Sequence, residues 1–249
     1  MKLTSMVKTS GCAAKLAPAV LHSVLSSLPS FEHKKELLVG YESSDDALVW
    51  DLGNDSVLIE TVDFFPPMVD DPFTFGQVAA ANALSDVYAM GGTPAVAMNL
   101  LCIPACLDSS VMKEILEGGY SKVKEAGAII AGGHTISDPT PTYGLCVTGF
   151  GQKNNIWKNT GAKVGDVLVL TKPLGAGIIN TAVKGEIASE ESAKEVVKWM
   201  TTLNKYAQER AKDFEVHAAT DVTGFSLLGH SLEMAQGSKV RLEIFSSSV

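Results

Sequence analysis

Asn82 and Asp86 stand four residues apart in an alanine-rich run, Phe75 to Met90, that has no proline and stops at Gly91-Gly92. The run predicts a helix with a glycine stop, and residues four apart share one helix face. Only the small Ala79 and Ala83 lie beside that amide and carboxylate, which leaves room for a ligand or another backbone to come close. Further aspartates form a series along the chain: Asp45-Asp46 before an apolar run, Asp63 after one, and Asp221 within Thr220-Asp221-Val222-Thr223. Taken singly, each is an ordinary turn or cap residue. Together, carboxylates arriving at the ends of separate elements make the pattern of a multi-metal, phosphate-handling site, because phosphoryl transfer needs charge neutralisation and alignment more than covalent help.

Those side chains need elements to carry them. Ala47–Trp50 and Val57–Val62 predict two strands joined by a Gly53-Asn54-Asp55 turn, a hairpin that brings Asp46 and Asp63 to one end. Ala95–Ile103, Ile129-Ile130 and Tyr143–Phe150 predict further strands, and Ser109–Ala126 a helix stopped by Gly127. Gly132-Gly133-His134-Thr135 follow the short strand; glycines there free backbone N–H groups to face a phosphate, although two glycines also make an ordinary tight turn. The order predicts a two-layer sandwich with helices on one face of a mixed sheet. The other face, expected to carry Val96, Met98, Leu100 and Val147, stays apolar and calls for a second subunit as its cover.

Residues 1–15 read as a flexible arm bearing a thiol, Cys12, and an ammonium, Lys15. An amphipathic helix follows, with Pro18 in its first turn and Val20, Leu21, Val24, Leu25 and Leu28 as its stripe. The polar segment Gly151–Gly165 marks a boundary, giving a domain over 1–155 and a second over 156–249. The second is expected to hold a strand Val167–Thr171, a helix after Gly175, one long helix from about Ser189 to Lys212, a helix Phe225–Gln236 and the start of another strand near Arg241. It reads as an incomplete α/β domain.

The totals bound the function. A chain of 249 residues with 46% hydrophobic and 19% charged residues is an ordinary soluble composition. A net charge of −8 argues against nucleic acid and anionic membrane surfaces, and an anion such as ATP would need metal ions or well-placed lysines. Cys12, Cys102, Cys106 and Cys146 form no CxxC pair, and with no signal peptide or membrane span the expected location is the reducing cytoplasm.

The motifs together resemble selenophosphate synthetase (selenide, water dikinase), of the superfamily that includes aminoimidazole ribonucleotide synthetase. The likeness runs through Gly11–Lys15, Asp45-Asp46-Ala47, Thr61–Phe65, Val69–Pro72, Asn82–Gly92, Gly132–Thr135, Thr171–Gly175 and Thr220–His230. It implies an α+β, two-domain fold whose N-terminal sheets pair into a dimeric barrel. The implied reaction converts ATP, selenide and water to selenophosphate, AMP and phosphate. Catalytic roles fall to Cys12 and Lys15, and magnesium ligation to Asp46, Asp63, Asp86 and Asp221. ATP binding falls to Lys15, Asp46, Thr61, Asp63, Asn82, Asp86, Gly132, Gly133, His134 and Thr135. The implied partners are ATP, selenide and a second copy of the chain. Family members extend past the last residue here, so the C-terminal domain is expected to be cut. A non-catalytic or truncated nucleotide-binding homologue is the alternative.

Overall fold

A computed structural model describes residues 2–9, 11–15, 18–25, 27–28, 32, 34–40 and 45–248; of residues 12, 13, 18, 19, 22 and 248 only the backbone is described. After a helix α1 (Pro18–Leu25), three strands β1 (Leu37–Val39), β2 (Leu48–Gly53) and β3 (Ser56–Phe65) lead into helix α2 (Pro72–Ala89). Strand β4 (Thr93–Ile103), helix α3 (Ser109–Ala126) and strands β5 (Ile129–Ser137) and β6 (Thr142–Gln152) complete the first half. The six strands form one sheet in the order β1-β2-β3-β6-β4-β5, antiparallel except for the β4–β5 pair. The expected mixed sheet with helices on one face is present.

The period of two decides which side is covered. Val57, Ile59, Thr61 and Phe65 of β3 are buried, whereas Val62 and Phe64 are 56% and 55% exposed. Register puts Met98 beside Cys146 and Leu58 beside Phe150, so the open face continues across β6 and β4. Met98 and Phe150 are 48% and 47% exposed there. Val147 does not belong to that face, contrary to expectation: it is fully buried under the helices, one residue out of phase with Cys146.

Helix α2 begins on Asp71, whose side chain accepts the Thr74 N–H at 2.8 Å, with Pro72 in the first turn. It ends where Gly91 takes φ +76°, a left-handed value that favours glycine. Its alanines are small for packing rather than for a ligand, since Ala79, Ala80 and Ala83 are wholly buried. A Cβ on Gly76 would sit 1.9 Å from Ile115 O, and one on Gly118 would sit 2.0 Å from Phe73 O, so α2 and α3 meet backbone to backbone. Beneath them Tyr143 stacks edge-on against Phe75 at 6.3 Å, its hydroxyl donating to Asn99 Oδ1 at 2.8 Å.

Several expectations need correction. The chain before Gly11 is tied down at its base: Leu3 is in the core, Thr4 N and Oγ1 both donate to Asp70 Oδ1, and Gly11 N donates to Pro66 O. Glycines 132 and 133 lie inside β5, paired with Met98 and Asn99, instead of following a strand. The long helix is two, α5 (Glu190–Thr201) and α6 (Lys205–Ala211), after α4 (Ala176–Lys184). It breaks where the Thr201 and Thr202 hydroxyls bond back to Val197 O and Lys198 O, a habit that bends helices. No sheet forms among the described residues after Gln152, because a strand exists only with a neighbour to pair with; Val167 and Val169 are 85% and 79% exposed. Helix α7 (Ser226–Ser238) is the last. The stripe of α1 is also uncovered, with Val20, Leu21 and Val24 exposed.

Candidate active site

The pitch of a helix and the rise of a strand make the core of the site. Four residues of helix rise about 6 Å and two residues of strand about 6.8 Å. Asn82 and Asp86 on α2 can therefore both meet Thr61 and Asp63 on the helix-facing side of β3. The Thr61 hydroxyl donates to Asp86 Oδ2 at 2.5 Å, and Asn82 Nδ2 donates to Asp63 Oδ2. Asp46 reaches the same end because the β2–β3 hairpin pairs Leu48 with Glu60.

The second half closes over this row. Thr220 Oγ1 donates to Asp46 Oδ1 at 3.0 Å, which brings the neighbouring Asp221 up to Asp46. The Ser85 hydroxyl faces the Asp221 carboxylate and favours its charged form, and it accepts from Asn204 Nδ2 at 2.7 Å. Asp45 is not part of the group: its Oδ1 accepts the Asn159 N–H at 2.7 Å and pins the chain between the halves.

Four carboxylates are thus gathered, with the Lys15 Nζ 3.8 Å from Asp63 Oδ2 and the Lys172 ammonium within electrostatic reach of Asp221. Burial raises Asp46 well above the usual carboxylate value, with Asp221 adding to it. Burial likewise raises Asp86, helped by Asp221 and Asp63, and raises Asp221 against the opposing Ser85 hydroxyl and Lys15.

Divalent cations fit this donor set. All the donors are hard oxygens, suited to magnesium, and Asp46 Oδ2 is buried without a hydrogen-bond partner. Among the described residues no three Asp, Glu, His or Cys side chains are close enough to enclose one ion. An ion at this site would therefore complete its shell with phosphate oxygens and water, as magnesium commonly does. Beside the cluster a cavity of about 700 Å³ opens between the N-terminal segment and the ends of β3 and β6, lined by Lys8, Lys15, Asp63, Phe64, Thr140 and Thr142.

The structure brings Lys15, Asp46, Thr61, Asp63, Asn82, Asp86 and Asp221 together. It does not bring Gly132, Gly133, His134 and Thr135 to them within one chain; β5 is an exposed edge separated from β3 by β6 and β4. Gly133 is needed for a close approach to β4, where a Cβ would meet Asn99 O at 2.4 Å. The backbone of Cys12 lies in the short helical turn Gly11–Ala14, but its thiol falls outside the described residues. Ser85 and Asn204 were not anticipated. Ser85 carried a signal, as the one hydroxyl between Asn82 and Asp86 in an alanine run; Asn204 carried none beyond its place at a helix break.

Comparison with known proteins adds the following. Residues 44–151 match the family described as AIR synthase related protein, N-terminal domain, and residues 163–249 match its C-terminal domain. A selenide, water dikinase of Clostridium botulinum (strain Eklund 17B / Type B) is 66% identical over the whole chain, which spans 72% of that relative. Another, of Clostridioides difficile (strain 630), is 53% identical over the whole chain and 71% of its own length. Among solved structures, a thiamine-monophosphate kinase from Stenotrophomonas maltophilia K279a superposes with a TM-score of 0.65 at 21% identity, over 83% of this chain and 68% of that one. One from Aquifex aeolicus gives 0.66 at 18%, over 88% and 71%. These two speak for the fold alone.

Proposed function

The chain belongs to the selenide, water dikinase family of AIR synthase-related proteins, and we propose that its aspartate cleft makes selenophosphate from selenide and ATP. The observation that carries the reading is the convergence of Asp46, Asp63, Asp86 and Asp221, from both halves of the chain, on one end of the sheet. Two anhydride bonds of ATP open in this reaction. One phosphoryl group goes to selenium, whose lone pair forms the new P–Se bond as a P–O bond breaks; the other goes to water, and AMP leaves. Magnesium bound between the carboxylates and the phosphates would supply charge neutralisation and alignment.

The protein's own residues divide the remaining work. Asn82 and Thr61 hold Asp63 and Asp86 in fixed orientations, Thr220 does so for Asp46, and the Ser85 hydroxyl favours the charged form of Asp221. Such preorganisation spares the site from reorganising as charge develops. Lys15 sets a positive charge at the mouth of the cavity, beside Asp63, where a polyphosphate would enter. Cys12, three residues before Lys15, is placed by the sequence to deliver selenium or guard the site.

Residues 1–155 serve in this reading as the nucleotide-binding and dimerisation part and 156–249 as the part that closes over it. The open face with Val62, Phe64, Met98 and Phe150 supports a homodimer through the sheet, in which a second copy also reaches β5 and can use Gly132–Thr135 on ATP. No described helix is long and apolar enough to cross a membrane, and we place the protein in the cytoplasm. Conversion of ATP to AMP that depends on added selenide tests the reading; sedimentation of the chain at micromolar concentration tests the dimer, which a stable monomer would exclude.

A further inference from the structure

Asp221 sits on a segment, residues 215–223, that has no helix or strand of its own. The Ser85 hydroxyl favours the charged form of its carboxylate, but its backbone must be steadied separately. Before it, Ala219 N donates to Lys158 O at 2.8 Å. After it, the Thr223 N–H donates to the Nε2 of His230 at 3.2 Å, and the Thr223 hydroxyl lies 3.3 Å from the same nitrogen. His230 is 7% exposed on the first turns of α7 and packs on the Phe225 ring at 5.6 Å. Its Nδ1 lies 3.2 Å from Glu233 Oε2, one helical turn on. Accepting at Nε2 leaves Nδ1 as the donor, so Glu233 fixes both the tautomer and the ring orientation. Between Thr223 and His230, Ser226 takes φ +61°, a left-handed backbone that a residue with a side chain adopts only where its surroundings hold it.

We propose that His230, oriented by Glu233, is a positioning residue for Asp221: by accepting the Thr223 N–H it fixes the backbone just past the carboxylate and sets where Asp221 meets a magnesium-bound phosphate. The inference rests on reading Asp221 as a metal ligand. Carboxylates that approach an ion through a loop are only as well placed as that loop, and partners one step removed from a metal commonly change its affinity by about 10- to 100-fold.

The test uses the whole chain and a non-hydrolysable ATP analogue, with binding followed by calorimetry as magnesium is raised. His230→Leu removes the acceptor; His230→Gln places an amide oxygen near the position of Nε2. The Mg²⁺ concentration for half-maximal nucleotide binding should rise roughly tenfold or more in His230→Leu and return most of the way in His230→Gln. Glu233→Gln should shift it in the same direction and by less. Should His230→Leu fail to fold, as judged by thermal melting, His230→Asn replaces it, because its shorter amide does not reach Thr223. A parental magnesium requirement in the acceptor-less variant, alongside a raised requirement in Asp221→Asn, overturns the role of His230. If Asp221→Asn itself keeps the parental requirement, the aspartate reading falls, and this inference with it.

Discussion

The Ser85 hydroxyl on α2 faces the carboxylate of Asp221 and favours its charged form, so a helix of the first half of the chain meets a ligand-bearing loop of the second. Asn204 completes the line by donating to Ser85 at 2.7 Å. Ser85→Ala removes that hydroxyl with little change in volume. The expected result is a rise of about 10- to 100-fold in the magnesium needed for half-maximal ATP turnover, with an unchanged melting curve. Parental magnesium dependence in Ser85→Ala would reduce the Ser85–Asp221 contact to packing.

Asp86 links activity to stability with opposite signs. Burial, with Asp221 and Asp63 beside it, raises its pKa in the fold, so it binds a proton more tightly folded than unfolded. Its favourable contribution is present below the ordinary value of 3.8 and is lost as pH rises through the raised value; at neutral pH the charged group opposes folding. Asp86→Asn should therefore melt higher without metal by roughly 2–4 °C, the shift about 1 kcal/mol gives a chain of this size. Its ATP turnover should fall about 10²- to 10³-fold. A lower melting point at neutral pH would show that burial of the Asp86 charge does not oppose folding.

Much of this site was legible in the sequence, and the parts that were not share a cause. The Asn82/Asp86 spacing, the hairpin that aligns Asp46 with Asp63 and the helix of Ser109–Ala126 all follow from local periodicity and caps, which a sequence carries directly. The packing of α2 on α3 through Gly76 and Gly118 is a meeting of two distant segments, so the alanine run read as space for a ligand. The Lys184 ammonium, donating to Val7 O at 2.9 Å, likewise ties the N-terminal segment to α4 across most of the chain. Val167–Thr171 has the composition of a strand, yet composition supplies no neighbour to pair with.

Lys172 offers a pH signature of its own. Burial lowers its pKa to about 8, against the pull of Asp221, while its Nζ donates to Thr202 O at 2.5 Å. Between pH 8 and its ordinary 10.5 the unfolded chain holds the proton that the fold has released, so stability from this group rises with pH. Tyr88 and Tyr143, both raised by burial, oppose this above their ordinary value of 10. The melting temperature should climb from pH 8 to about 9.5 relative to Lys172→Met, which carries no such group. Parallel curves for the two proteins would mean that Lys172 is not desolvated.

Cys12 and Lys15 should separate chemistry from binding. Lys15 lies within reach of Asp63, so Lys15→Ala should weaken nucleotide binding and lose turnover. Cys12→Ser should bind ATP as the parent does and lose selenide-dependent turnover. Parental rates in both variants would leave this segment with no part in the reaction.

The central claim is that this aspartate cleft transfers phosphorus to selenium. Phosphorus-31 NMR of the chain with magnesium, ATP and selenide tests it most directly. The account predicts a selenium-bound phosphorus signal growing in step with equal amounts of AMP and phosphate, absent without selenide and lost in Asp86→Asn. Conversion of ATP to ADP with no selenium-bound phosphorus, or selenophosphate made by Asp86→Asn at the parental rate, would contradict it.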